Sequence, residues 1–239
     1  MATFQTFRAR LTRSIALTEF TRHLELQVTS ADHFGFVPGQ WLSTKASTPE
    51  GEEITRAYSI ASPPANGNFA FCLNRVQDGF MSNHLCNLPE GTEVTFQGPF
   101  GNFILHPPMR DTLFVATGTG IAPIRSMLHW LLADPERHAG RELWLLFGAR
   151  TENDLYYREE FRRLAADHEN FHFLPTLSRA TPDWRGLQGY VQEHVQAIVA
   201  GRQDMQTYIC GLARMVKANR DLLKGLGWDR TAIHYERYD

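Results

Sequence analysis

Arg56-Ala57-Tyr58-Ser59 puts a cation, an aromatic ring and a hydroxyl within four residues, and Gly79-Phe80-Met81-Ser82 follows about twenty positions later. A guanidinium pairs with a diphosphate, a tyrosine ring lies against a flat heterocycle, and a serine hydroxyl hydrogen-bonds a ring nitrogen. Gly79 would let the N–H groups of residues 80–82 approach the same diphosphate at the start of a short helix. Together the two boxes could hold a phosphorylated aromatic molecule. Taken singly, Arg56 reads as a solvated strand charge, Tyr58 as a packing residue and Gly79 as a turn glycine.

Three further groups could take part in chemistry. Thr117-Gly118-Thr119-Gly120-Ile121-Ala122-Pro123 follows an apolar run and precedes a helical one. Its glycines permit close backbone approach to a phosphate, and Pro123 is tolerated in a first helical turn. Pro123 stands where the dinucleotide fingerprint has its third glycine, so the segment reads equally as a structural turn. Cys210-Gly211 ends another strand, with Met215 one turn into the next helix; a cysteine there is ordinarily a small buried apolar residue. Tyr235-Glu236-Arg237-Tyr238-Asp239 alone reads as an edge strand.

Two kinds of architecture must position these groups. Up to about residue 95 the chain alternates short β-branched and aromatic runs, at 7–11, 23–28, 40–44, 69–73 and 93–96, with turn-forming Pro, Gly and Asn between them. Six or so antiparallel strands in a small closed barrel are expected, with the Arg56 box at the start of one. After Gly98-Pro99-Phe100-Gly101-Asn102-Phe103 and Pro107-Pro108 the rhythm changes. Apolar strands at 112–117, 142–148, 171–177, 205–210 and 232–237 alternate with helical stretches at 121–133, 154–167, 187–199 and 212–223. That pattern predicts a parallel α/β sheet, with ligands at the carboxyl ends of its strands. The expected division is a β-barrel domain over 1–105 and an α/β domain over 106–239.

A chain of 239 residues fits two compact domains. No uninterrupted apolar run reaches membrane-spanning length: Arg125 and His129 break the longest, at 121–133. The start shows no basic segment followed by an apolar one, so a soluble cytoplasmic protein is expected. Cys72, Cys86 and Cys210 lack any Cys-x-x-Cys spacing, which excludes an encoded iron-sulfur cluster or disulfide framework. With 24 Lys+Arg, 26 Asp+Glu and a net charge of −2, neither nucleic acid nor an anionic membrane is favoured as partner. His168 and His172 are read as surface residues, so no metal is expected, and no nucleophile elbow is present.

In order, the Arg56 and Gly79 boxes, the hinge at 98–103, the Thr117 loop, Cys210-Gly211-Leu212-Ala213-Arg214-Met215 and the closing Tyr235–Asp239 segment resemble the ferredoxin-NADP reductase family over essentially the whole chain. The resemblance implies an amino-terminal FAD-binding barrel and a carboxyl-terminal NAD(P)-binding domain. It assigns Arg56 and residues Phe80, Met81 and Ser82 to the FAD diphosphate, Ala57 to cofactor binding, Tyr58 to the isoalloxazine and Ser59 to flavin N5. Cys72, Leu73 and Asn74 would add contacts to the flavin. Thr119, Gly120 and Gly211 would touch the nicotinamide dinucleotide at the domain cleft, Cys210 would line the nicotinamide pocket, and Glu236 would relay protons. Ser59, Cys210 and Glu236 are thus the implied catalytic set.

Tyr238 resembles the family's terminal aromatic that covers the flavin, although Asp239 follows it here. Ser178-Arg179 resembles the pair that grips the 2′-phosphate in NADP-preferring members, with Ala149 and Arg150 beside it and Tyr190 stacking on adenine. NADP(H) is therefore expected; the neutral Gln188 leaves NADH use open. The implied partner is a separate ferredoxin or flavodoxin, which Arg8, Arg10, Arg13 and Arg22 could steer, and a monomer is expected. The competing readings are an oxygenase reductase component, a reductase that releases free flavin, and a non-catalytic flavin sensor.

Overall fold

The structure, a computed structural model, describes residues 5–31 and 34–238; Asp239, which follows the aromatic Tyr238, lies outside the described residues. Packing divides the chain into two units. The first runs to Ile104 and includes Arg125–Trp130; the second takes in Leu105–Ile124 and continues from Leu131.

The first unit is a six-stranded antiparallel sheet of β1 (Gln5–Ala16), β2 (Thr21–Val28), β3 (Trp41–Ser47), β4 (Glu53–Ser59), β5 (Asn68–Asn74) and β6 (Glu93–Phe100), with one helix, α1 (Phe80–Asn87). Its strand order is β4-β3-β6-β1-β2-β5. Alternate residues of β1, Phe7, Ala9 and Leu11, point inward and meet Phe69, Phe71 and Phe96 in a ring-rich core. Phe69 sits edge-on to Phe96 at 5.4 Å. The sheet curls until its two outer strands approach, and they join through the single bridge Ile60–Phe71 and the bond from Ala61 N to Ala70 O at 2.7 Å. The strand holding Arg56 begins at Glu53, so the Arg56 box lies at its end and not at its start.

The second unit is a parallel sheet of β7 (Thr112–Thr117), β8 (Leu143–Ala149), β9 (Phe171–Leu177), β10 (Leu187–Gln188), β11 (Gln206–Leu212) and β12 (Ile233–Tyr238). Helices α2 (Ile121–Leu132), α3 (Pro135–His138), α4 (Arg158–Asp167), α5 (Gln192–Val199) and α6 (Ala213–Gly225) lie between the strands in sequence. The order β10-β9-β8-β7-β11-β12 places the topological switch between β7 and β11. Residues 187–191 leave the expected helix: Gly189 at φ +97° breaks it, and Leu187 and Gln188 pair with Thr176 and Leu177 instead. Helix α4 likewise starts at Arg158, after a tight turn at 152–154. Pro175, in β9, stands opposite Phe147. Near the amino ends of the strands, Phe114, Tyr208, His234 and His106 form a ladder of stacked rings, and His106 N donates to the Tyr208 hydroxyl at 2.8 Å.

Candidate active site

Arg56, Ala57, Tyr58 and Ser59 are the last four residues of β4, opposite Thr44, Ser43, Leu42 and Trp41 of β3. Arg56 is exposed, and among the described residues its guanidinium bonds the Thr55 carbonyl (2.8 Å) and no carboxylate. Tyr58 is half-buried, with its ring 5.8 Å from Phe71. Burial, and then the nearby Cys86, push its hydroxyl pKa up to about 12 against the opposing pull of Arg56, so the phenol stays neutral. Ser59 is buried.

Helix α1 packs beside β4. Gly79 is its N-cap in extended conformation, and no side chain caps the helix, so the N–H groups of its first turn keep their capacity for an anion. The Ser82 hydroxyl faces backward, accepting from Val76 N at 3.0 Å and donating to Gly79 O at 3.3 Å; it shapes the loop. Asn83 Nδ2 ties Val76 O and Gly79 O into the same turn. An open groove of about 490 Å³ runs along α1 from Asp78, Gly79 and Phe80 to Leu88. Met81, Cys72 and Leu73 are buried, and Asn74 accepts from the Thr21 hydroxyl at 2.5 Å.

In the second unit the loops after β7 and β11 interlock at the switch point. A methyl on Gly120 would lie 2.3 Å from the Cys210 carbonyl oxygen, and one on Gly211, at φ +147°, would lie 2.4 Å from Thr117 Oγ1. Only glycine fits either place. Thr119 sits in the tight turn between β7 and α2. The Thr117 hydroxyl oxygen is buried and has no hydrogen-bond partner among the described residues. Sequence reasoning took Thr117 as part of a loop and missed this hydroxyl; its only local signal is a threonine directly before the glycines.

Cys210 is fully buried in β11, opposite Glu236 of β12, and Leu212 stands opposite Tyr238. Burial first and the Glu236 carboxylate second hold the Cys210 thiol well above its ordinary pKa, with hydrogen bonding from Tyr238 working the other way. Glu236 and Tyr238 are both half-buried.

The loops after β8 and β9 are also joined. Ser178 N donates to Ala149 O at 3.0 Å and Arg179 N to Arg150 O at 2.8 Å. Arg150 and Arg179 are exposed, and among the described residues neither has an ion pair. The pairing of Gln188 with Leu177 brings Tyr190, 55% exposed, to the same end of the sheet. The amino-terminal arginines divide: Arg8 and Arg10 both pair with Glu93 at 3.3 Å, Arg22 bonds the Ser14 hydroxyl, and Arg13 has no ion pair among the described residues. His172 pairs with Glu142 at 2.6 Å, and no group of side chains suited to a metal occurs among the described residues.

Compared with known proteins, the chain is 40% identical to ferredoxin–NADP reductase B of Sorangium cellulosum, over 98% of each chain. The chain belongs to the ferredoxin–NADP reductase family. The description "Oxidoreductase FAD-binding domain" matches residues 8–104 and "Oxidoreductase NAD-binding domain" matches residues 114–221, which makes this family member an FAD- and NAD(P)-binding oxidoreductase. It is 29% identical to the toluate 1,2-dioxygenase electron transfer component of Pseudomonas putida, over 97% of this chain and 67% of that one. The solved cytochrome P450 reductase GcoB of Amycolatopsis superposes with a TM-score of 0.86 at 27% identity, covering 98% of this chain and 70% of the other.

The ferredoxin–NADP reductase cofactors fit what the chain presents. The uncapped start of α1 and the exposed guanidinium of Arg56, which bonds only a backbone carbonyl among the described residues, suit the diphosphate of FAD. The orphaned Thr117 hydroxyl and the close-packed glycines of the switch point suit a dinucleotide. Among the described residues no helix is long and apolar enough to cross a membrane.

Proposed function

We propose that the chain passes electrons between NADPH and a one-electron carrier protein, a ferredoxin or flavodoxin, by way of bound FAD. The observation that carries this reading is the pairing of an uncapped helix start at Gly79 with the Arg56–Ser59 strand end packed beside it. When bound, FAD supplies a two-electron acceptor at N5 and releases its electrons singly.

Arg56 and the amides of residues 80–82 would hold the diphosphate, with Ala57, Cys72, Leu73 and Asn74 completing the pocket wall. Tyr58, kept neutral, would offer its ring face to the isoalloxazine, and the buried Ser59 would steady N5. Thr119, Gly120 and Gly211 would hold the nucleotide by backbone contact, helped by the Thr117 hydroxyl. Cys210, its thiol protonated, would act as an uncharged wall, Glu236 would hold and move a proton, and Tyr238 would cover the flavin. Arg150 and Arg179, next to the joined Ala149 and Ser178, are cations without an ion pair among the described residues and suited to a 2′-phosphate, and the exposed Tyr190 ring is suited to adenine. The relative named as a ferredoxin–NADP reductase supports this choice over NADH.

Among the described residues Cys72, Cys86 and Cys210 are buried and form no disulfide, and a reducing compartment such as the cytoplasm suits the chain. The toluate dioxygenase relative supports a second reading, in which the carrier serves an oxygenase. The test is a visible spectrum of the purified protein, titrated anaerobically with NADPH and separately with NADH. A yellow protein that bleaches at lower NADPH than NADH is expected. A colourless protein, or one that neither nucleotide bleaches, would overturn the reading in favour of a flavin-releasing reductase or a sensor.

A further inference from the structure

The chain as a whole is acidic by two charges, yet the solvent face of α6 is strongly basic. Arg214, Lys217, Arg220 and Lys224 recur along it at helical spacing. Its one carboxylate, Asp221, is taken up by Lys217 at 2.8 Å. Strand β12 adds Arg237, exposed and without an ion pair among the described residues, whereas Glu236 stands on the other face of the strand, level with Cys210.

This surface also has an apolar anchor. The Arg220 guanidinium lies 3.7 Å from the centre of the Tyr235 ring, which is 41% exposed. That contact fixes an arginine and an aromatic together before any partner arrives, and such pairs dominate binding energy at protein interfaces. At the start of α6, next to Arg214, Leu212 is 64% exposed. The cations do not belong with the proposed 2′-phosphate group, because β7 and β11 separate β8 and β9 from β12 in the sheet.

We infer that the outer face of α6 and the adjoining Tyr235–Arg237 stretch of β12 form the docking surface for an acidic one-electron carrier protein. The inference rests on the reductase reading above. It moves docking away from the amino-terminal arginines, two of which share Glu93. Charge complementarity of this kind acts mainly on encounter and falls off with salt.

The test uses the full-length holoenzyme and its Arg214→Glu/Arg220→Glu/Arg237→Glu variant, with NADPH as donor and either an acidic [2Fe–2S] ferredoxin or ferricyanide as acceptor. The variant's apparent KM for ferredoxin should rise about tenfold or more at low ionic strength, and the gap should close with added salt. Its KM for NADPH, and its ferricyanide rate measured at salt high enough to screen that anion, should stay within about twofold of the parent, since a small acceptor needs no docking surface. Tyr235→Ala should raise the ferredoxin KM without the salt dependence. An unchanged ferredoxin KM in both variants, or the same rise from Arg13→Glu, would overturn the assignment. A rise in KM for NADPH instead would place these cations in the nucleotide site and overturn it equally. If the parent itself fails to reduce ferricyanide with NADPH, it is the reductase reading that falls.

Discussion

The two units build their binding loops in opposite ways. In the barrel, the groups proposed to meet flavin hang on packed structure: Tyr58 leans on Phe71, Ser59 and Met81 are buried, and Ser82 and Asn83 tie the Gly79 turn from behind. In the α/β unit, the groups proposed to meet the nucleotide, Arg150, Arg179 and Tyr190, stand in solvent without ion pairs among the described residues. The first arrangement suits a resident cofactor, which repays permanent preorganisation; the second suits a ligand that must come and go. The exception is the switch point, where glycine backbones touch.

The largest expected effect comes from breaking that exception. Gly120→Ala drives a methyl against the Cys210 backbone and should cost about 3 kcal/mol, because backbone cannot step aside as a side chain can. Gly79→Ala meets only Val76 and Ser82 side chains, at 3.0 and 3.1 Å, and should cost about 1 kcal/mol or less. Denaturant unfolding of the two variants gives the comparison directly, and equal losses would remove the distinction between a rigid and a yielding loop.

Next in size, Arg179→Ala should weaken NADPH by about ten- to a hundredfold with little change for NADH, since a charged hydrogen bond contributes on the order of 1.5–3 kcal/mol. Steady-state KM values for both nucleotides check this, and equal losses would detach Arg179 from the 2′-phosphate.

The last effect concerns pH. Burial first, then His106 and Arg110, push the His234 pKa down to about 4. The unfolded chain binds that proton near 6.5, so the stability is fully present above 6.5 and is lost as pH falls from there through 4. His234→Phe keeps a ring in the ladder and should shrink the drop in Tm between pH 7 and 4.5. A variant that loses as much Tm as the parent over that interval would exclude His234 as the source.

Much of this was legible in the sequence because burial writes itself as period. Alternation marked β1, and β-branched and aromatic runs marked β2, β5 and the parallel strands. Strand β4 was expected to start at Arg56 and in fact starts at Glu53, because Glu53–Tyr58 are exposed or only half-buried and no alternation marks its first residues. The stretch 187–191 looked helical because its pairing with β9 is tertiary and leaves no local trace. Of the candidate site, the order of the boxes along the chain was readable. The neutralisation of Arg8 and Arg10 by Glu93, and the clustering of cations along α6 and β12, depend on what lies across a strand or beside a helix.

Strand β10, at two residues, leaves most of the outer rim of β9 without a strand partner among the described residues. A longer bare rim would be a template on which another copy could add a strand. Pro175 falls in that stretch and offers no N–H, so a stacking copy would find a ladder with a missing rung. Restoring the rung, as in Pro175→Val, would trade this guard against fibre-like self-association for a more regular strand.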